Sequence, residues 1–484
     1  MTKLQTAENS RSPSHQDATS PVVKTVHLTS LGCPKNLVDS ENMLGQLVEE
    51  GLRPVAEPGE ADVLLVNTCG FIQSAVEEGI DTILGLIEQK KNPGVRVVVC
   101  GCLVQRYGAD LVRELPEVDL FLGTEEVATI GSRLRALDRA TAEEPEDGGE
   151  HPGPAGSSSI VRYRPSDGTE RFLANAKLPR RLATAPHRAY LKITEGCGNR
   201  CSYCMIPAIR GPLRSRQPDD ILDEARALAA AGVRELTLIA QDLTAYGLDL
   251  GPGGPRLGSL LKILHREVEV PWIRLLYLYP TRVSDELLEI VAGHPRILPY
   301  FDIPFQHVAD PVLKAMNRPY GEELVRDLVA RVRRTLPGAV IRTTFMVGFP
   351  GEREADVDRL AAFMADCRLE HVGIFTYCNE EGCAAAALPG QLDEQTKEQR
   401  RRRLMTMQAD ISLAANEARV GRVEEVLVEG VSAESDLLLE GRAWFQAPDV
   451  DGCVYINEGE CRAGELVQVK ISAAHPYDLV GGIL

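Results

Sequence analysis

The stretch Cys197-Gly-Asn-Arg-Cys201-Ser-Tyr-Cys204 sets three cysteines at spacing C-x3-C-x2-C, just after the apolar segment Tyr190-Leu-Lys-Ile193. Three thiolates this close can hold three irons of a cubic iron–sulfur cluster and leave the fourth iron open to another ligand. Zinc takes four ligands, usually as two C-x2-C pairs. No second pair lies near these cysteines, so zinc is the poorer reading.

A second group is spread over the amino-terminal part: Cys33, Cys69, Cys100 and Cys102. Cys33 follows a first strand-like run in Ser30-Leu-Gly-Cys-Pro-Lys, Cys69 a second in Val66-Asn-Thr-Cys-Gly, and Cys102 a third in Val99-Cys-Gly-Cys-Leu. In an open parallel sheet the loops after successive strands meet at one edge, where ligands bind. Cys33, Cys69 and Cys102 are therefore expected to converge, each with a glycine nearby that lets backbone approach closely. Cys100 lies within the strand, so its side chain should point away from that edge and into the core. Buried free thiols are common. Three at equivalent topological positions argue instead for a second cubic cluster with one open iron.

Both groups need a scaffold, and the hydrophobic periodicity supplies it. From Val23 to Asp119–Leu122, strand-like runs alternate with helical ones (Leu37–Glu49, Ile72–Gln89, Gln105–Glu114), which predicts a doubly wound parallel α/β domain over 23–137. Residues 138–182, with Glu143-Glu-Pro-Glu-Asp147 and a serine triplet, read as a linker. A new βα series fills 183–416, with strands expected at Ala189–Ile193, Glu235–Ala240, Ile273–Leu278, Tyr300–Ile303, Ile341–Val347 and Val372–Tyr377. Six such repeats predict a partial (β/α)6 barrel, with its chemistry at the carboxyl ends of the strands, where the Cys197–Cys204 loop falls. A closing helix near Glu394–Ala418 should pack through Leu404, Met407 and Ile411 and expose Arg400–Arg403 as a solvated face. Residues 417–484 are short β-rich segments that suit a small five-stranded β-barrel. The whole is an α/β multidomain protein.

Composition narrows the class of function. At 484 residues, 44% hydrophobic and 25% charged, the chain is an ordinary multidomain globular protein with no apolar run long enough to cross a membrane. Met1–Ser20 lacks the apolar segment of a signal peptide and reads as a disordered tail. A cytoplasmic, reducing setting follows, with the 12 cysteines as thiols or metal ligands. The net charge of −17 is a poor footprint for a protein whose main partner is nucleic acid. The final domain alone carries 13 acidic and 5 basic residues, net −8, where an RNA-binding barrel would offer a positive groove. Such a surface favours a basic protein partner.

Beyond these physical readings, the chain resembles the methylthiotransferase family of the radical S-adenosylmethionine superfamily, over about residues 24–484. The resemblance rests on Ser30-Leu-Gly-Cys-Pro-Lys-Asn, Asn67-Thr-Cys-Gly-Phe-Ile, Gly101-Cys-Leu-Val-Gln-Arg-Tyr and Glu195-Gly-Cys with Tyr203-Cys-Met-Ile-Pro. It continues through Arg210-Gly-Pro-Leu-Arg-Ser-Arg, Ala240-Gln-Asp-Leu-Thr-Ala-Tyr-Gly, Asp302-Ile-Pro-Phe-Gln-His and Thr344-Phe-Met-Val-Gly-Phe-Pro-Gly-Glu. The last domain resembles a TRAM domain, in Ala447-Pro-Asp-Val-Asp-Gly and Tyr477-Asp-Leu-Val-Gly. Cys378 and Cys383 depart from the pattern, standing where serine and threonine are common, and add thiols near the barrel.

The resemblance implies two 4Fe-4S clusters and S-adenosylmethionine. Cys197, Cys201 and Cys204 would carry the cluster that cleaves S-adenosylmethionine to a 5′-deoxyadenosyl radical. Cys33, Cys69 and Cys102 would carry the cluster that supplies a methylated sulfur, with a second S-adenosylmethionine as methyl donor. No catalytic residue beyond these cysteines is assigned. Tyr203 fits the family's aromatic position, Gln241 and Asp242 lie where the cofactor's methionine end is expected, and the turn at Gly348, Pro350 and Gly351 could meet its adenosine. Ordinary turn chemistry is the alternative for each. His307 is expected to make a structural hydrogen bond; Arg210, Arg214 and Arg216 could pair with the cofactor carboxylate or with protein acids. The implied substrate is an aspartate β-carbon of ribosomal protein S12, and the alternative is a tRNA adenosine, which the acidic final domain disfavours. A non-catalytic iron–sulfur carrier is a further alternative, but carriers usually ligate every iron with cysteine. Neither the sulfur donor nor the electron donor can be read from the residues.

Overall fold

Val63-Leu-Leu-Val-Asn-Thr68 is buried along its whole length, as a strand covered on both faces must be. Its odd residues Val63 and Leu65 join one apolar cluster, while Leu64 and Val66 join another on the opposite face. This double burial organises the amino-terminal part of the computed structural model, which describes residues 24–90, 94–142, 162–165 and 171–484. Five parallel strands, β1 (Thr25–Ser30), β2 (Arg53–Pro54), β3 (Val63–Thr68), β4 (Arg96–Gly101) and β5 (Leu120–Leu122), lie in the order β2-β1-β3-β4-β5. Helices Pro34–Glu49 and Ile130–Ala142 cover one face through Met43, Leu44, Leu47 and Leu134. Helices Gln73–Glu88 and Cys102–Glu114 cover the other through Ile83, Leu86, Leu103 and Leu111. The expected doubly wound sheet is present. Strand β2 is an addition: at two residues, one of them proline, it carries almost no periodic signal. Helix Ile130–Ala142 runs on into the segment expected to be linker; the tail 1–22 and the acidic run Glu143–Asp147 fall outside the described residues.

The chain forms two compact units. The first holds the described residues up to Thr184 together with Ala208–Gly211, and the second holds Ala185–Pro207 and Pro212–Leu484.

In the second unit, six parallel strands stand in chain order: β6 (Arg188–Lys192), then, past a short hairpin of β7 (Thr194–Glu195) and β8 (Arg214–Ser215), β9 (Glu235–Ile239), β10 (Trp272–Leu275), β11 (Ile297–Asp302), β12 (Val340–Val347) and β13 (His371–Thr376). An unbroken sequential order of parallel strands with intervening helices is the partial barrel that was expected. β10 ends three residues early, because Tyr277 takes a left-handed φ of 65° and its backbone N–H donates to Asp302 Oδ2 at 3.0 Å. Helix Glu394–Glu417 buries Leu404 and Ile411, half-buries Met407, and sets Gln408 against the Leu369 carbonyl. The expectation of a solvated Arg400–Arg403 face holds for the exposed Arg402 and Arg403 and fails at Arg400. Arg400 is buried and pairs with Glu352 at 2.6 Å, while Arg401 and Arg402 bond Glu398 and Arg403 bonds Glu354 and Asp358.

The last strands, β14 (Val423–Val431), β15 (Leu439–Ala443), β16 (Val454–Glu458), β17 (Leu466–Ala474) and β18 (Leu479–Ile483), close a barrel in the order β14-β15-β16-β18-β17. β18, Leu-Val-Gly-Gly-Ile, completes the five strands expected of the barrel and carries two adjacent glycines. Gly481 is there for space: a Cβ would sit 2.5 Å from the Lys470 carbonyl oxygen. The segment Trp444–Asp451 fastens this barrel to the amino ends of the larger one. Asp449 takes two hydrogen bonds from Arg188 at 3.0 Å and one from Tyr190, and Asp451 accepts from Tyr300 at 2.6 Å.

Candidate cluster-binding sites

In the first unit, β1, β3 and β4 end side by side, and a cysteine follows each. Cys33 is the residue before helix Pro34–Glu49, Cys69 follows Thr68, and Cys102 opens helix Cys102–Glu114. Glycines bring them together. A Cβ on Gly32 would lie 2.9 Å from Cys69 Cβ, and one on Gly70 would lie 2.8 Å from the Cys102 carbonyl oxygen. Two of the three cysteines thus sit at helix amino termini, whose dipoles and unpaired N–H groups favour a thiolate. Burial alone would raise the Cys33 thiol, but Lys35, Arg210 and nearby backbone N–H groups outweigh it and hold it below its ordinary value. Burial pushes Cys69 up to about 11, with the Cys102 sulfur adding to it. Burial raises Cys102 too, opposed by Arg210. The guanidinium of Arg210 donates to Cys102 Sγ at 3.3 Å, to Asp39 at 2.6 Å and to Asn36 Oδ1 at 3.0 Å. Cys100 is 1% exposed, with its sulfur 3.2 Å from the Val66 carbonyl, inside the core.

In the second unit, the loop from Cys197 to Cys204 follows β6 and β7. Backbone bonds pin it: Ser202 N–H donates to the Met316 carbonyl at 3.0 Å, Ala385 N–H donates to the Ser202 carbonyl at 2.8 Å, and Asn317 reaches the Arg200 carbonyl at 2.5 Å. All three cysteines are half-buried. Burial raises Cys197 and pushes Cys204 up to about 12, and in each case a neighbouring cysteine of the trio adds to the rise. Three mutually repelling sulfurs in a loop fixed by its backbone suit a cationic centre among them. No three His, Cys, Asp or Glu among the described residues close on a single point as one mononuclear ion requires. A cubic cluster spreads its irons between the sulfurs and needs no such point.

Tyr203, Gln241, Asp242 and the turn at Gly348 lie on or beside this loop, and the remaining sequence candidates do not. Tyr203 accepts hydrogen bonds from Arg318 at 2.7 and 3.2 Å and meets the Phe349 ring edge-on at 6.4 Å. Gln241 donates to Glu195 at 2.9 Å, and Glu195 in turn takes bonds from the fully buried Lys192 at 2.8 Å and from Gly196 N–H. Asp242 accepts from Asn199 at 2.8 Å and from Arg282 at 2.5 Å, which ties the strand end to the loop. Gly348 has φ 76° and gives its N–H to both carboxylate oxygens of Glu352, at 2.9 and 3.0 Å, so the turn that also holds Pro350 is clamped. His307 is fully buried and accepts from Ala309 N–H at 2.9 Å, the structural bond that was expected. Arg210 belongs to Asp39 and Cys102, while Arg216 is buried against Asp220 and Glu224. Sequence reasoning passed over Lys192, Glu195, Arg282, Arg318 and Glu352. Lys192, Glu195 and Glu352 act within four residues of their partners and so had a local signal; Arg282 and Arg318 act across long separations.

No helix among the described residues is long and apolar enough to cross a membrane. Comparison with known proteins adds the rest. Residues 25–123 match the uncharacterized protein family UPF0004, 191–364 the radical SAM superfamily and 420–484 the TRAM domain. Among solved structures, the radical S-adenosylmethionine methyltransferase TsrM from Kitasatospora setae, with cobalamin and a [4Fe-4S] cluster bound, is similar in fold at TM-score 0.53 and 14% identity. That likeness covers 84% of this chain and 77% of TsrM. The ribosomal protein uS12 methylthiotransferase RimO of Desulfotalea psychrophila is 52% identical over 95% of this chain and 99% of its own length. The RimO of Syntrophus aciditrophicus is 48% identical over 95% of this chain and 98% of its own. With identity at that level along nearly the whole length, and two cysteine trios each set at strand ends, the chain belongs to the RimO family of radical SAM methylthiotransferases.

Proposed function

We propose that this chain adds a methylthio group to the β-carbon of an aspartate in ribosomal protein uS12. The observation that carries the proposal is the pair of three-cysteine sites in one chain, each a donor set for a cubic cluster with one open iron. Cys197, Cys201 and Cys204 would hold one 4Fe-4S cluster, and Cys33, Cys69 and Cys102 the other. When bound, the clusters supply an electron for cleaving S-adenosylmethionine at the first site and a held sulfur at the second.

The chain's own residues bind and orient. Lys192 and Gly196 N–H fix the Glu195 carboxylate, and Glu195 fixes Gln241, beside the loop where the amino and carboxylate groups of S-adenosylmethionine would sit. Asp242, Asn199 and Arg282 hold the loop's first turn. Glu352 and Arg400 shape the turn from Gly348 to Pro350 for the adenosine. Tyr203, next to the third cysteine, is held edge-on to Phe349 and by hydrogen bonds from Arg318.

The substrate reading follows the named relatives and the acidic final domain over a tRNA adenosine; nucleic acid is not the group modified. A cytoplasmic setting, where glutathione and thioredoxin keep thiols reduced, suits the twelve free cysteines. The test is anaerobic turnover of the cluster-loaded chain with reductant, S-adenosylmethionine and purified uS12. The expected result is 5′-deoxyadenosine together with a methylthio mass gain on one aspartate. Radical cleavage with uS12 unmodified contradicts the substrate assignment.

A further inference from the structure

The arginines that fasten the small barrel end on carboxylates: Arg188 on Asp449, Arg274 on Glu235, Arg342 on Asp302 and Asp451, Arg442 on Glu235 and Glu429. Arg234 and Arg462 do not. Both are exposed, and neither guanidinium has a hydrogen-bond or ion-pair partner among the described residues. These two instead flank one cavity of about 540 Å³, walled also by His187, Gly232, Gly464 and Glu465. That volume lies within the ~300–1,000 Å³ of ordinary ligand sites.

The local build explains why the cavity stays open. Arg234 comes just before β9, after the turn at Gly232, and Arg462 lies in the loop between β16 and β17. His187, just ahead of β6, is 4% exposed and engages Glu429 through Nε2 at 2.9 Å, while its Nδ1 is buried with no partner. Gly464 faces that edge of the ring: a Cβ there would come within 3.0 Å of His187 Cβ and 3.5 Å of Nδ1. The Glu465 carboxylate, the one acid on the wall, is turned to its own loop and accepts from Arg462 N–H at 3.2 Å. All of this sits at the amino ends of the large barrel's strands, opposite the Cys197–Cys204 loop.

We infer that this cavity is a phosphate-binding site. Two forked guanidinium groups with nothing to pair are the donor set that phosphate oxygens match, and arginine is favoured for that geometry. The phosphate belongs to an RNA backbone or is free in solution. In the first case, and resting on the proposed uS12 substrate, the site grips ribosomal RNA at the end of the barrel away from the Cys197–Cys204 loop, so that uS12 is engaged in its RNA-bound form.

The experiment uses the full chain with its clusters loaded, under anaerobic conditions. A fluorescent single-stranded RNA of about 12 nucleotides is titrated by anisotropy at several salt concentrations. In parallel, inorganic phosphate is added at fixed ionic strength and the melting temperature is read. For the RNA source, Arg234→Gln with Arg462→Gln should weaken RNA binding roughly tenfold and lower the salt slope by about two. Lys470→Gln, an exposed charge on β17, should leave both unchanged. For the free source, RNA does not bind, and phosphate raises the melting temperature of the parent chain but not of the double variant. Arg462→Glu should behave like the double variant in whichever arm responds. The inference is overturned if neither probe acts on the parent chain, or if the double variant responds as the parent does. Methylthio transfer to isolated uS12 should be unaffected by these variants, so a failure here is distinct from a failure of the substrate assignment.

Discussion

Arg210 donates a hydrogen bond to the Cys102 sulfur across 3.3 Å while its other nitrogen holds Asp39 at 2.6 Å. One buried guanidinium thus neutralises a carboxylate and faces a cysteine of the amino-terminal trio. It stands six residues after Cys204 in the chain, yet it packs within the first unit. Donors to cluster sulfurs stabilise the anionic thiolate and tune the metal.

Arg210→Gln should therefore lower two quantities. Taking the Arg210 guanidinium away from the buried Asp39 carboxylate costs about 3–5 kcal/mol. Losing the donor to Cys102 should reduce iron bound by the amino-terminal trio, read by iron and sulfide analysis with Mössbauer spectra. Adding Asp39→Asn should restore the melting temperature and not the iron. If iron returns with stability, Arg210 acts through the fold alone.

The two trios should separate by function. Cys201→Ala should abolish 5′-deoxyadenosine formation. Cys69→Ala should leave that formation largely intact and stop methylthio transfer. Both products are measured from one reaction by chromatography and mass spectrometry. Loss of the same single step in both variants would contradict the division.

The joint between the two barrels should be sensitive to acid. Burial alone would raise the Glu235 carboxyl, but Arg442 and Arg274 outweigh it and hold it at about 2. Glu429 is held at about 2 as well, with His187, Arg442 and Arg188 overcoming burial. Both values are depressed below the ordinary 4.5. The stability they contribute is thus complete above about pH 4.5 and is lost as pH falls toward about 2. Glu235→Gln should lower stability by about 3–5 kcal/mol near neutral pH, because Arg442 and Arg274 lose a buried partner, and should flatten the acid limb of melting temperature against pH. An unchanged acid limb would show that the pair does not set it.

Gly348→Ala tests the clamped turn. The position needs φ 76°, and a Cβ would meet Lys397 Cγ at 2.3 Å. A cost of about 1–3 kcal/mol is expected, with weaker binding of S-adenosylmethionine in equilibrium dialysis and no change in iron content.

Much of this was legible in the residues. The trio from Cys197 to Cys204 is a local spacing, and the convergence of Cys33, Cys69 and Cys102 follows from the rule that loops after parallel strands share an edge. The βα alternation fixed both sheets. What stayed hidden depends on pairs far apart in the chain: Arg210 with Asp39, 171 residues away, or Arg400 with Glu352, 48 away. Composition also hides where the acids of the final domain lie. Asp449 and Asp451 bond Arg188, Tyr190, Tyr300 and Arg342, while Glu417, Glu425, Glu434, Asp436, Glu458, Glu460 and Glu465 are exposed. The argument for a basic protein partner rests on those exposed acids.

The most direct test of the central claim is mass spectrometry on both candidate substrates from one culture. The chain is expressed anaerobically in a host without methylthiotransferases of its own, and uS12 and bulk tRNA are digested separately. The account predicts a methylthio group on one aspartate of uS12 and unmodified tRNA. Methylthio-adenosine in the tRNA, with uS12 unchanged, would contradict it.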